Sequence, residues 1–178
     1  MIKHKLSHYP SYKLKSYIEY HDDIPHIEEN YDEDGNLHGA YREWDDKGQV
    51  ALETNFIHGI RNGMNKKWYS NGKLYSQEPY TNDHINGIAI QYYTNGQIAA
   101  IDTYKNGTLH GEQKHYYPNG QLATEVNFVN GRKHGVFKQY IENGQMLQWS
   151  TYKADTLINS KTFPLQLEQK MNIINNEE

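Results

Sequence analysis

The chain reads as an all-β protein: an elongated single-layer antiparallel sheet of stacked 24-residue β-hairpin repeats. Three observations lead there. Gly39, Gly63, Gly87, Gly111 and Gly135 recur every 24 residues, as do Gly48, Gly72, Gly96, Gly120 and Gly144, with no insertion. Two aromatic columns keep the same phase (Trp44, Trp68, Tyr92, Tyr116, Tyr140, and Phe56, Tyr80, Tyr104, Phe128, Tyr152), and Val50, Leu74, Ile98, Leu122 and Met146 form an aliphatic column between them. Finally, only 36% of the 178 residues are hydrophobic, yet 16 are Tyr. That is too little apolar material for a deep core and too much aromatic material for a disordered chain. A fixed period of this length marks an array of small units that bury their apolar side chains against neighbours.

The elements follow in chain order. Residues 1–30 form a degenerate cap or partial repeat; the stretch 9–31 resembles a worn unit, with Tyr20 in phase with Trp44 and Asp22-Asp23 near the turn. Residues 31–156 hold five full units. Within each, Asn71-Gly72, Asn95-Gly96, Asn119-Gly120 or Asn143-Gly144 (Lys47-Gly48 in the first) separates two runs rich in aromatic and β-branched residues. This is the signal of a hairpin whose type I′ turn needs positive φ at both central residues. A second glycine-rich turn, such as Asn106-Gly107 or Asn130-Gly131, joins successive hairpins, with Asp83 and Asp155 replacing the glycine in two units.

Alternation places Leu122, Thr124, Val126 and Phe128 on one face and Ala123, Glu125 and Asn127 on the other, so one face is dry and one polar. At ~4.8 Å per strand, five hairpins span roughly 50 Å. Residues 157–178 form a C-terminal cap or tail. Asn159 takes the glycine position, the column pattern stops at Tyr152, and Pro164 precedes Leu167, Met171 and Ile174 at helical spacing. Either a short capping helix or a frayed tail follows.

Composition narrows the chemistry. The chain has no cysteine, which removes disulfides, zinc–thiolate sites and cysteine nucleophiles. No apolar run reaches the ~18 residues of a membrane helix, and the start lacks the apolar region of a signal peptide, so a cytoplasmic location is expected. A formal net charge of -4 disfavours nucleic acid and anionic membranes as partners. The glycines form no phosphate-binding loop and the serines no nucleophile elbow. No catalytic residues, cofactor or metal site are therefore assigned. His38, His110 and His134 share one repeat column. Equivalent positions lie ~10 Å apart, too far to share an ion, and the expected role is support of a turn. His4, His8, His21 and His26 in the N-terminal segment stay open.

The pattern Tyr104-Lys105-Asn106-Gly107-x-x-His110-Gly111, followed by Tyr116-Tyr117-x-Asn119-Gly120-Gln121-Leu122, resembles the MORN repeat variant. It is similar to the form found in bacterial antitoxins of the YwqK type. The resemblance spans about residues 31–153. It implies a non-enzymatic immunity role: binding a cognate toxin domain and blocking it. The alternative is a structural scaffold or membrane-surface module.

Two surfaces are candidates for the protein partner. Residues 16–55 carry twelve carboxylates against Arg42 and Lys47, a net -10, whereas residues 56–161 carry a net +4. Asp22, Asp23, Glu28, Glu29, Asp32, Glu33 and Asp34 lie in this acidic stretch. They could steer a basic partner, such as a nuclease toxin, or simply be a solvated end that discourages edge pairing. Non-periodic aromatic and aliphatic residues, Tyr41, Tyr75, Ile101, Phe137 and Trp149, are assigned to the face opposite the repeat columns as binding anchors. A homodimer through the terminal strands remains open.

Overall fold

The computed structural model describes residues 1–164. Among them, 16 strands form one antiparallel sheet in which each long strand pairs with the next along the chain. The first three are β1 (Ile2–His8), β2 (Leu14–His21) and β3 (Ile24–Asn30). The first repeat is β4 (Gly39–Trp44) and β5 (Val50–Ile57). The second is β6 (Ile60–Arg61), β7 (Gly63–Trp68) and β8 (Leu74–Thr81), and the third β9 (His84–Ile85), β10 (Gly87–Tyr92) and β11 (Ile98–Lys105). β12 (Thr108–Tyr116), β13 (Leu122–Val129), β14 (Arg132–Tyr140) and β15 (Met146–Lys153) complete the array, and β16 (Thr156–Thr162) is its last strand. The strand pattern thus runs beyond Tyr152. The helix expected around Leu167, Met171 and Ile174 lies outside the described residues.

The two kinds of turn are the reverse of the sequence expectation. Around Asn71-Gly72 the turn has four residues: Gly72 N–H donates to the Tyr69 carbonyl at 2.9 Å, Tyr69 N–H donates to the Lys73 carbonyl at 2.8 Å, and Gly72 has positive φ. Asn71 is absent from the left-handed region; its Oδ1 instead accepts the Lys73 N–H at 3.0 Å. Asn95, Asn119 and Asn143 do the same for Gln97, Gln121 and Gln145. Asparagine is useful here for its side-chain acceptor, and glycine for the left-handed position next to a bulge. The two-residue turns with positive φ at both positions are the other set: His58-Gly59, Asn82-Asp83, Asn106-Gly107, Asn130-Gly131 and Ala154-Asp155. Where Asp replaces glycine it gains a bond that offsets the strain. Asp83 Oδ1 accepts the Arg61 N–H at 3.0 Å, and Asp155 Oδ1 accepts the Lys133 N–H at 2.8 Å.

Register explains where the thin core sits. Thr54, Asn65, Glu78, Ala89, Asp102, Gln113, Val126, Phe137 and Ser150 form one row across β5 to β15. The buried strand residues Thr54, Asn65, Ala89, Val126 and Ser150 belong to this row; buried Ser76, Ala100 and Phe128 stand two positions along their strands, on the same face. Small side chains at 0–9% exposure on a single layer require neighbouring long side chains to close over them, which a coiled sheet allows. This is the column face. Tyrosines beside the four-residue turns link one unit to the next: the hydroxyls of Tyr69, Tyr93 and Tyr117 donate to the carbonyls of Tyr92, Tyr116 and Tyr140 at 2.5–2.9 Å.

The N-terminal strands repeat this geometry half a unit out of step. Tyr9 donates from its hydroxyl to the Tyr31 carbonyl at 2.8 Å, as Tyr69 does to Tyr92. Tyr12 takes the positive φ of Gly72. Asp22-Asp23 form a tight turn like Asn82-Asp83, and Tyr20 pairs with Pro25 as Tyr80 pairs with Ile85. Tyr20 is therefore the counterpart of Tyr80 and Phe56 rather than of Trp44. The phase changes at β4, which is entered through the four-residue turn Asp32–Gly35 and left through another, Asp45–Gly48. Where the repeats place a tight turn, this junction has a longer loop.

Candidate functional site

Tyr41 and Phe137 are not on the face assigned to them from the sequence. Tyr41 pairs with Thr54, and Phe137 with Val126 and Ser150, so both stand on the column face. Tyr41 packs edge-on against Phe56 (6.2 Å between ring centroids) and Phe137 against Tyr152 (6.4 Å). The physical reason is the bulge between Glu43 and Trp44, repeated between Gln139 and Tyr140. It places an extra residue, Ala51 or Leu147, in the partner strand, so the alternation counted from the Trp44 column does not carry through to Tyr41 or Phe137. Tyr75, Ile101 and Trp149 do occupy the opposite face: Ile101 pairs with Ile90 and Lys114, and Trp149 with Lys138 and Lys161. Tyr75 meets Tyr69 edge to face, with 5.1 Å between ring centroids.

The acidic residues divide by what they touch. Asp22 pairs with the Met1 amino group and Asp23 with Lys3 at 2.5 Å. On the face opposite the columns, Arg42 bridges Glu28 (2.8 Å) and Glu53 (2.9 Å), with Lys66 3.9 Å from Glu53. Those carboxylates are largely neutralised by their neighbours. Glu33 and Asp34 are exposed at the tip of the Asp32–Gly35 turn.

Three carboxylates on the column face have a different surrounding. Tyr17 donates to Glu19 at 2.6 Å, Tyr31 to Glu29 at 2.5 Å and Tyr41 to Glu43 at 2.7 Å. Tyr17 pairs with Glu29, Glu19 with Ile27, and Ile27 with Glu43, so all three pairs share one face of β2, β3 and β4. The phenols hold the carboxylates in place without cancelling their charge. His21 Nε2 lies 2.7 Å from Glu19 and His4 Nδ1 2.8 Å from the Tyr17 hydroxyl. The hydrogen bond from Tyr17, then that from His21, holds Glu19 below the usual carboxylate range. Its partner Tyr17 is pushed up to about 12, chiefly by that same bond. Tyr31 rises to about 12 and Tyr41 rises too, in both cases first by burial and then through the carboxylate beside them. The result is an anionic patch with ordered aromatic sides. Of its six residues, the sequence reading had singled out Glu29 and Tyr41. The missed signal was the spacing Tyr-x-Glu, Glu-x-Tyr, Tyr-x-Glu, which in a strand puts both members on one side.

Elsewhere on the column face, Asp102 stands 3.6 Å from His115, beside a hollow lined by Gln91, Tyr93, Ala100, Gln113 and Tyr116. Ser76 and Ser150, the fully buried hydroxyls on that face, each lie three strands from His115, at least roughly 14 Å away. Neither serine can work with His115 and Asp102 as a nucleophilic relay.

At the turn edge near the phase change, Asp32 is 9% exposed. Its Oδ1 accepts the N–H groups of Asp34 and Asn36, each at 2.9 Å, and its Oδ2 lies 2.6 Å from His58 Nδ1. These bonds, led by that from Asn36, hold its carboxyl far below the ordinary range. His38 supports the turn as expected for its column: its Nδ1 accepts the His58 N–H at 3.4 Å, as His110 accepts the Asn130 N–H at 3.3 Å. His38 and His58 meet edge to face, 4.9 Å between centroids.

The fold and its tyrosine-linked turns define a class, the open β-hairpin repeat array. The model of the MORN repeat variant matches residues 37–58, 61–82, 85–106, 109–130 and 133–154. The chain belongs to the MORN repeat variant family. Repeats of this kind are in general non-enzymatic modules, and are consistent with a protein that binds other molecules at protein or membrane surfaces. No curated protein matches the chain.

Proposed function

We propose that this chain is a non-enzymatic binding protein of the antitoxin or immunity type, which neutralises a cognate toxin domain by direct contact through the column face of β2–β4. The observation that carries the reading is the set of three tyrosine-held carboxylates, Glu19, Glu29 and Glu43, on one face. Ordered carboxylates cost little further ordering on binding, and an anionic face speeds encounter with a basic partner. A nuclease toxin, whose own site must be basic to hold phosphates, has the matching charge. Tyr41 within the patch and Phe56 packed against it supply an aromatic edge of the sort interfaces favour.

The test is co-expression with the product of the neighbouring gene. Rescue from its toxicity by the natural chain, and loss of rescue in the triple variant Glu19→Gln, Glu29→Gln, Glu43→Gln, support the reading. A neighbour that is harmless on expression, or a triple variant that rescues fully, counts against it. The scaffold or membrane-surface alternative expects the chain to float with vesicles of anionic lipid; the acidic column face leads us to expect no flotation.

A further inference from the structure

We propose that Asp32, His38 and His58 form a binding site for a divalent transition-metal ion of the zinc class. The three side chains offer one ligand atom each, all within 4.8 Å of one another. Two imidazoles and a carboxylate suit zinc, cobalt, nickel or copper rather than magnesium or calcium, which prefer oxygen. Ligands ~2.1 Å from one zinc ion stand about 3.4 Å apart when tetrahedral. The closest pair, His58 Nδ1 and Asp32 Oδ2 at 2.6 Å, has to open slightly, and the His38 ring has to draw in. The His58 side chain, 64% exposed, is free to make that movement.

The carboxylate is the fixed member. Asp32 is buried and held by the amides of its own turn, so it is ionised and aimed before any ion arrives. An ion arriving at His58 Nδ1 replaces the proton now shared with Asp32, so binding competes with protons. With three protein donors, further positions remain for water or for a donor from a partner.

Among the described residues the site arises once, because of the half-unit phase change. His38 and His58 occupy columns filled further along by Asn86 and Asn106, and by His110 and Asn130. In those units the first side chain accepts the second residue's N–H, at 3.2 Å for Asn86 and 3.3 Å for His110, with no carboxylate at hand. Only the junction loop brings Asp32 across from outside the array. Ions bound here would tie that loop to the first repeat.

Those same columns supply substitutions the turn already accepts elsewhere in the chain: His58→Asn copies Asn106, and His38→Asn copies Asn86. The full chain is titrated with zinc against a chromophoric chelator at pH 7.5, and with cobalt to read coordination from its visible absorption. The expected result is one equivalent bound, weakened at least about 100-fold in either variant and unchanged in His110→Asn. Zinc should raise the melting temperature of the natural chain and not that of His58→Asn. The inference is overturned if no zinc binds in stoichiometric amount. It is also overturned if binding survives both substitutions, or is lost instead in His21→Gln, which would place the ion at the stacked His21–His26 pair, 4.2 Å apart.

Discussion

Residues 1–36 and the five repeats from residue 37 onward are built on the same hydrogen-bond plan and use their side chains for opposite ends. In the repeats, the links that recur from unit to unit beside the four-residue turns are neutral: tyrosine hydroxyls to carbonyls, and asparagine amides such as Asn95 to Pro118 and Asn119 to Glu142, while carboxylates join units at the tight turns of Asp83 and Asp155. In the first strands only Tyr9 keeps that link, while Tyr17 and Tyr31 turn their hydroxyls to carboxylates. A repeat module that stiffens itself mainly with neutral bonds leaves most of its charge free to be concentrated at one end. The phase change makes the concentration possible, because residues there no longer have to satisfy the next unit.

The largest effect expected to sharpen this contrast comes from the aromatic column. Phe128→Ala, at a residue 9% exposed, removes a ring between two packed units and should cost about 3 kcal/mol in chemical denaturation. Tyr20→Ala, its half-buried counterpart nearer the end of the sheet, should cost clearly less. Equal losses would mean that the two regions are packed alike.

Next in size is the junction. The folded Asp32 carboxyl titrates far below its unfolded value of ~3.9. Its stabilisation is therefore complete above pH ~4 and is lost as pH falls further through the folded value. Natural protein should lose melting temperature steeply below pH ~4, and Asp32→Asn should start lower and show a flatter acid limb. An unchanged limb would deny Asp32 its place in holding the loop.

Smaller is the loss of one tyrosine link. Tyr93→Phe and Tyr9→Phe should each cost about 1 kcal/mol, by removing one hydroxyl-to-carbonyl bond. Similar values would support the half-unit equivalence; no effect at Tyr9 would break it. Finally, Glu19→Gln should bring the Tyr17 phenol down from about 12 toward 10, because the bond to Glu19 is the main cause of its rise. Tyr31 should stay high in that variant, since burial raises it first. Absorbance of phenolate during an alkaline titration reads both.

How far the sequence could be read depended on which feature left a periodic trace. The 24-residue columns identified the sheet, its dry face and the repeat family, since side chains buried against identical neighbours must recur. Turn classes were misassigned because Asn-Gly fits both a tight turn with two left-handed residues and a longer turn where asparagine caps an amide and glycine alone is left-handed. The placement of Tyr41 and Phe137 failed for a related reason: a bulge is invisible in residue identities yet shifts parity by one. Tyr20 was matched to Trp44 by counting 24 back, although the junction loop resets the count. Asp32 was picked out only as part of the acidic stretch, and its pairing with His58 escaped notice because their meeting depends on that loop, not on the period. The Tyr-x-Glu pairs were present as a pattern but sat outside the repeat columns.

Small-angle scattering of the full chain in dilute solution tests the central claim most directly. Fourteen successive strands at ~4.8 Å give an array roughly 60 Å long, so the radius of gyration should stand well above the ~16 Å of a globular chain this size, with a distance distribution skewed to long separations. A value near ~16 Å with a symmetric distribution would contradict the open single-layer sheet, and with it the exposed column face on which the functional reading depends.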